Sequence, residues 1–262
     1  MLLSSTPIAF VGERKAMSLL SLAFYTAFFA LMGLLAANAP PDLPELLALW
    51  PFFTAFCALY LVSFFALAAD WFWARWFAVG LGYSGLTMAG WSIVMQRSLE
   101  PAVVFYGLTH GLIILLLQGS KMIEAYEGQS GWRERYKLDE VGVAKVRNAV
   151  TRAATGLPTL IMIMLVPRET PSGMLWLGVA LLGVLGVLTM RSYGVLLLGV
   201  SGLATLVLSL SHLVGHTHAS TALFPPGLVH IFGVCAGALL LAAATPFAGP
   251  VLRFLSGRSA RE

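Results

Sequence analysis

Eight long apolar segments limit what this chain can fold into. Each has the length of about 17–25 residues that an α-helix needs to cross the hydrocarbon core of a bilayer. Only 11% of the residues are charged, whereas a soluble domain usually carries about 25%. Backbone polar groups inside lipid must pair internally, so these segments predict an all-α polytopic transmembrane helical bundle with about eight spanning helices. The segments cover approximately residues 16–37, 46–69, 73–95, 101–123, 149–167, 172–190, 193–215 and 227–248.

The charges between the segments predict the orientation of the bundle. With eight spans, one side receives most of the Lys and Arg residues, and the other side receives Asp42 and Glu45. Basic loops remain in the cytoplasm, so both termini are predicted to be cytoplasmic. The chain is therefore interpreted as a single integral membrane domain over residues 1–262, multi-pass in the cell inner (plasma) membrane. Topology explains the basic residues, so the predicted partners are the lipid bilayer and membrane-protein subunits, with no nucleic acid.

Residues 119–148 form the only long polar stretch, which is predicted to be a cytoplasmic loop between helices four and five. Trp132 and Tyr136 alternate there with charged residues, a pattern typical of a segment lying on the membrane surface. The run Trp71-Phe72-Trp73 with Trp76 is predicted to anchor the same interface. A helical stretch is expected to start at Asp139-Glu140, because acidic residues favour a helix N-terminus.

Four of the five histidines lie between Ser201 and His230, at the end of the seventh segment and the start of the eighth. On a helix, successive steps of four, four, three and four residues place five polar side chains on one face. Lipid cannot hydrogen-bond to such a stripe, so we expect it to face protein or a water-filled cavity. The stripe consists of Ser201, Thr205, Ser209, His212 and His216.

A turn at Phe224-Pro225-Pro226 would bring His230 beside His212 and His216. Neutral imidazole is a common ligand of first-row metals, so these three residues are the predicted site for a transition metal. Haem would instead need histidines on opposite sides of a flat cavity, and His110 with His212 is the pair that fits this role. Proton transfer among the histidines is a further reading, and each of these chemistries would serve a redox or metal-dependent function.

A second interpretation stays open beside this one. The same histidines can hydrogen-bond to neighbouring helices, and His218 can lie in a loop. The protein would then be a non-catalytic membrane subunit, or a channel or transporter with a polar path along helix seven. No HExxH motif or CxxC pair favours a metal enzyme, and Cys57 and Cys235 lie apart in apolar segments.

The sequence Gly82-Tyr83-Ser84-Gly85 resembles the GxSG motif around the serine of rhomboid-type intramembrane proteases. That family pairs its serine with a histidine two helices later. Here His110 lies on the next segment, and the fifth segment has no histidine. The resemblance covers four residues, and the protease activity is not carried over.

The predicted topology can be tested with reporter fusions. Fusions after residue 130 and after residue 220 should report opposite sides of the membrane, because basic loops remain inside. Alkaline phosphatase and green fluorescent protein fusions measure the two sides independently. The same side for both positions would contradict the prediction.

Overall fold

The structure is a computed structural model that describes residues 11–165, 172–214 and 228–249. Helices make up the regular structure in these ranges, and no β-strand occurs within them, so the all-α class is confirmed. A short 3₁₀ helix at Thr245–Phe247 follows the last α-helix. The α-helices are α1 (Val11–Ala37), α2 (Pro44–Leu47), α3 (Trp50–Ala68), α4 (Ala74–Gln96), α5 (Pro101–Leu117), α6 (Ser120–Glu127), α7 (Ser130–Tyr136), α8 (Glu140–Leu165), α9 (Ser172–Leu188), α10 (Ser192–Val214) and α11 (Leu228–Ala244).

Each of the eight apolar segments overlaps at least one helix within the described residues. Six stretches are long and apolar enough to cross a membrane, and α5 with α6 would be a seventh if they count as one helix, although they meet at a bend of 72°. Helix α9 is apolar but shorter. The chain is therefore a membrane-embedded helical protein, while the count of eight spans and the cytoplasmic termini stay predictions. The six stretches long and apolar enough to cross a membrane are Val11–Ala37, Pro44–Ala68, Ala74–Met95, Glu140–Leu165, Ser192–Val214 and His230–Phe247.

The helices group into two compact units, Met1–Lys137 and Leu138–Glu262. In the first unit, α1 packs against α3 and α5, and α4 packs against α5 and α3. In the second, α11 packs against α8 and α10, and α9 contacts both of these helices. The single integral membrane domain over residues 1–262 stays a prediction.

Residues 119–148, predicted to form a cytoplasmic loop between helices four and five, are largely helical, and their cytoplasmic location stays a prediction. Helices α6 and α7 occupy most of it, and α8 begins at Glu140. The start of α8 was expected from the acidic pair, and the Gly142 amide donates to Asp139 Oδ1 over 2.7 Å. Buried apolar side chains stabilise this stretch. Met122, Tyr126 and Trp132 are buried, although charged residues surround them in the sequence.

A buried ion pair holds α6 against α4. Arg75 and Glu127 form it, and the indole of Trp76 donates to the same carboxylate over 2.9 Å. Arg75 also donates to the carbonyl of Leu117 over 3.0 Å. Trp76 is 1% exposed, so its predicted role as a membrane anchor was wrong, because its ring packs inside the protein. Trp73 is buried too, whereas Trp71 is exposed.

Gly119 allows the sharp bend between α5 and α6. Its φ of +106° lies in a region that residues with a Cβ rarely adopt. The guanidinium of Arg14 lies against this glycine and donates to the carbonyl of Leu115 over 3.0 Å. The same carbonyl also accepts from the Gln118 amide over 3.3 Å, so Arg14 gives it a second donor at the end of α5.

Helices α10 and α11 approach each other at backbone distance. A Cβ added at Gly237 would lie 2.7 Å from the Leu206 nitrogen and 2.8 Å from the Gly202 oxygen. A Cβ at Gly202 would lie 2.6 Å from the Leu241 nitrogen. Small residues allow this close packing in membranes, where van der Waals contact drives helix association. The GxxxG of Gly233 and Gly237 lies in this contact.

Replacing Gly237 by alanine should therefore destabilise the second unit, because the new methyl group meets backbone atoms that cannot move aside. We expect a loss of about 1–3 kcal/mol in the free energy of unfolding, as for other overpacked sites. Gly178→Ala in α9 is the matched control, since a Cβ there meets nothing within 4 Å. Unfolding in mixed micelles measures both variants, and equal stability of the two would contradict the packing argument.

Candidate functional sites

The second unit brings two of the predicted metal ligands together. His212 lies in the last turn of α10, where it is exposed, and His230 lies in the first turn of α11, where it is buried. Their imidazole rings are stacked, with centroids 5.3 Å apart and planes 18° from parallel. His216 and His218 lie outside the described residues. The rings of His212 and His230 thus lie close together, whereas the predicted turn at Phe224-Pro225-Pro226 lies outside the described residues.

The polar stripe of α10 faces protein as far as Ser209. Ser201, Thr205 and Ser209 are all buried, which confirms the predicted orientation of the helix. Ser209 packs against Gly233 of α11, and Ser201 donates to the carbonyl of Leu198 over 3.2 Å. The stripe therefore serves the contact with α11, and it becomes exposed only at His212.

A metal site with three or more protein ligands has no support within the described ranges. Across residues 11–165, 172–214 and 228–249, no three or more His, Cys, Asp or Glu side chains are placed to hold a metal ion. The set of His212, His216 and His230 stays a prediction, because one member lies outside these ranges. Haem ligation by His110 and His212 also stays a prediction, and the two residues belong to different units.

His110 lies in a different environment, at the centre of the first unit. Its side chain is fully buried. The rings of Tyr25 on α1, Tyr60 on α3 and Tyr106 on α5 surround it, with centroids 4.5, 5.9 and 4.1 Å away. Gly85 of α4 closes the remaining side, because any Cβ there would overlap the imidazole. Four helices therefore enclose one histidine.

The hydrogen bonds of His110 define which ring nitrogen carries the proton. Nδ1 lies 2.7 Å from the carbonyl oxygen of Tyr106, and Nε2 lies 2.6 Å from the hydroxyl of Tyr60. A carbonyl only accepts, so Nδ1–H is the donor and Nε2 of the neutral ring accepts from Tyr60. The Tyr106 hydroxyl is 3.4 Å from that of Tyr60. This contact is longer than an ordinary O–H···O bond, and with the Tyr60 proton on Nε2 its donor would be Tyr106.

This arrangement engages both nitrogens of His110. An iron atom could use Nε2 only if the bond to Tyr60 were broken. Ser84, the serine of the GxSG sequence, is buried, and its hydroxyl has no hydrogen-bond partner among the described residues. A serine nucleophile needs a nearby histidine nitrogen as its base. With both nitrogens of His110 engaged elsewhere, Ser84 and His110 do not form a catalytic pair.

Sequence reasoning missed the tyrosines of this site. Tyr60 lies in the middle of an apolar span, where a hydroxyl must find a partner inside the protein. Tyr106 and His110 are four residues apart, so both lie on one face of α5. These two signals were present in the sequence. The third ring, that of Tyr25, follows from the packing of α1 on α5, which the sequence does not reveal.

Comparison with known proteins gave no match. No protein-family profile fits the chain, and neither the curated proteins nor the solved structures contain a significant relative. Function is therefore argued from the geometry of the sites.

The bond from Tyr60 to His110 can be tested by Tyr60→Phe. This variant keeps the ring and leaves Nε2 buried without its donor, which should cost about 1–3 kcal/mol of unfolding free energy. Tyr83→Phe is the matched control, since Tyr83 is 40% exposed on α4. Unfolding of purified protein in mixed micelles measures both. A loss no larger than that of Tyr83→Phe would show that the bond contributes nothing.

Proposed function

We propose that this chain is a polytopic inner-membrane protein that binds a first-row transition metal where α10 ends and α11 begins. His212, His230 and His216 are the ligands in this proposal. One observation supports it above the others: the imidazoles of His212 and His230 converge from two helices, with ring centroids 5.3 Å apart. Histidine is a common metal ligand, and two rings at this distance need only rotamer changes to share an ion.

The close packing of α10 against α11 below the histidine pair supports this proposal. Gly202 and Gly237 bring the α10 and α11 backbones into contact, so the two helix ends are held at a fixed separation. A first-row metal would need ligand nitrogens at about 2.0–2.2 Å from the ion. His216 follows His212 by four residues, one helical turn, so a continued helix would present it on the same face. A metal held there would act on the predicted outer side of the membrane in a redox or metal-dependent role.

The alternative is a non-catalytic membrane subunit. It is supported by the burial of Ser201, Thr205 and Ser209 against neighbouring helices. Polar side chains in this position join helices. The same burial argues against a channel or transporter path along α10, because Ser209 and Gly233 leave no space between the two helices at that level. In this alternative, the histidine pair would only cap the two helices and contact partner subunits in the bilayer.

Cobalt(II) binding distinguishes the two functions. The purified, metal-free protein should bind cobalt with the visible absorption bands of a site that contains imidazole nitrogen, and zinc should displace it. His212→Ala and His230→Ala should each weaken binding at least tenfold, because each removes one of the few ligands. Ser211→Ala is the matched control, since its exposed hydroxyl donates to the carbonyl of Leu208. Unchanged cobalt affinity in both histidine variants would leave the non-catalytic subunit as the better account.

A further inference from the structure

Tyr60 of α3 holds its phenolic proton directly against a base. Its hydroxyl oxygen lies 2.6 Å from Nε2 of His110, and the neutral imidazole accepts the hydrogen bond. A positioned base takes a proton over a distance of about 2.6–3.2 Å, so this pair is already in the geometry of a proton transfer. Tyr60 is 2% exposed and His110 is fully buried, so bulk water does not compete for the bond.

The surroundings of this pair favour moving the proton together with an electron. Transfer of the proton alone would leave a phenolate and an imidazolium, two charges in an apolar space, which is costly. Loss of an electron at the same time leaves a neutral phenoxyl radical and one charge, because an oxidised phenol is a far stronger acid than the phenol. That charge has a partner, since the Nδ1 proton of His110 donates to the Tyr106 carbonyl over 2.7 Å, and such a bond strengthens when the donor is ionised.

Aromatic rings connect Tyr60 to the exposed face of α1. The ring centroid of Tyr25 lies 5.2 Å from that of Tyr60, and the centroid of Phe24 lies 5.3 Å from that of Tyr25. Phe24 is 49% exposed, on a helix long and apolar enough to cross a membrane. Electrons tunnel across ring contacts of this kind, whereas a proton needs a hydrogen bond. The electron of Tyr60 therefore has a route toward α1, and its proton has one toward α5.

We propose that Tyr60 is a redox-active tyrosine that is oxidised by lipid peroxyl radicals, the class of one-electron oxidant that forms inside bilayers. The O–H bond of Tyr60 breaks, its proton forms an N–H bond at Nε2 of His110, and its electron reduces the peroxyl radical. The peroxyl anion takes a proton from water, so the products are a tyrosyl radical, an imidazolium, a lipid hydroperoxide and hydroxide. This site lies in the first unit and does not depend on the metal site proposed in the second.

Freeze-quench electron paramagnetic resonance on the full chain tests this proposal without any substitution. The protein is placed in nanodiscs of unsaturated lipid, and a lipid-soluble azo initiator generates the peroxyl radicals. Wild type should give a tyrosyl radical, and its high-field spectrum should show the lowered g value of a phenoxyl oxygen that accepts a hydrogen bond, here from the imidazolium. The absence of a tyrosyl radical, or a radical with the g value of a phenoxyl without a hydrogen bond, would overturn the proposal.

Three variants assign the radical. Tyr60→Phe should abolish it, and His110→Phe, which keeps a ring but removes the base, should slow its formation about a hundredfold, the usual lower contribution of a positioned base. Tyr83→Phe is the matched control, because Tyr83 is 40% exposed on α4, where a lipid radical reaches it by direct contact. This variant should leave the hydrogen-bonded radical unchanged. If the radical survives Tyr60→Phe in a protein with a native circular dichroism spectrum, another tyrosine carries it and the proposal fails.

Discussion

A polar side chain buried between helices has no water to bond to, and this constraint shapes the surroundings of His110 and Arg75. An unpaired amide or hydroxyl in an apolar medium costs about 2–7 kcal/mol. His110 meets the constraint with a bond at each ring nitrogen. Arg75 meets it by pairing with Glu127 and the Leu117 carbonyl. Each solution joins different helices, so polar groups that would be costly alone determine which helices become neighbours.

The ion pair of Arg75 and Glu127 constrains the fold strongly. Breaking a buried pair by removing one partner costs about 3–5 kcal/mol, because the other charge then stays buried alone. Here the carboxylate belongs to α6 and the guanidinium to α4, so α6 cannot leave α4 without separating them. The bend at Gly119 brings α6 back over the bundle. The ion pair and the bend therefore determine where α6 lies relative to α4.

This explains which parts of the structure could be predicted from the sequence. Apolar segment length is a local property, and each of the eight segments overlaps at least one helix within the described residues. The inward face of α10 followed from the spacing of Ser201, Thr205 and Ser209 alone. Local patterns do not reveal the contact of Glu127 with Arg75, because the two residues lie 52 positions apart in the chain. The same limit hid the contacts of Tyr25 and Tyr60 with His110, because α1 and α3 lie far from α5 in sequence.

His110 and His212 differ in burial and in hydrogen bonding. Both ring nitrogens of His110 have partners, and the rings of three tyrosines surround it. His212 is exposed at a helix end beside His230. The fifth histidine, which lies outside the predicted cluster, is thus the one that the first unit encloses, whereas His212 of the cluster is exposed.

Several glycines let the helix backbones pack directly against these polar side chains. Gly85 lets the α4 backbone rest on the imidazole of His110, and Gly233 does the same for the hydroxyl of Ser209. A Cβ at Gly107 would lie 2.9 Å from that of Ala89, so Gly107 lets α5 approach α4 closely. In the sequence these residues indicate only close helix contact. In the structure they also hold the polar side chains in place, so the small residues that make the bundle possible also define its sites.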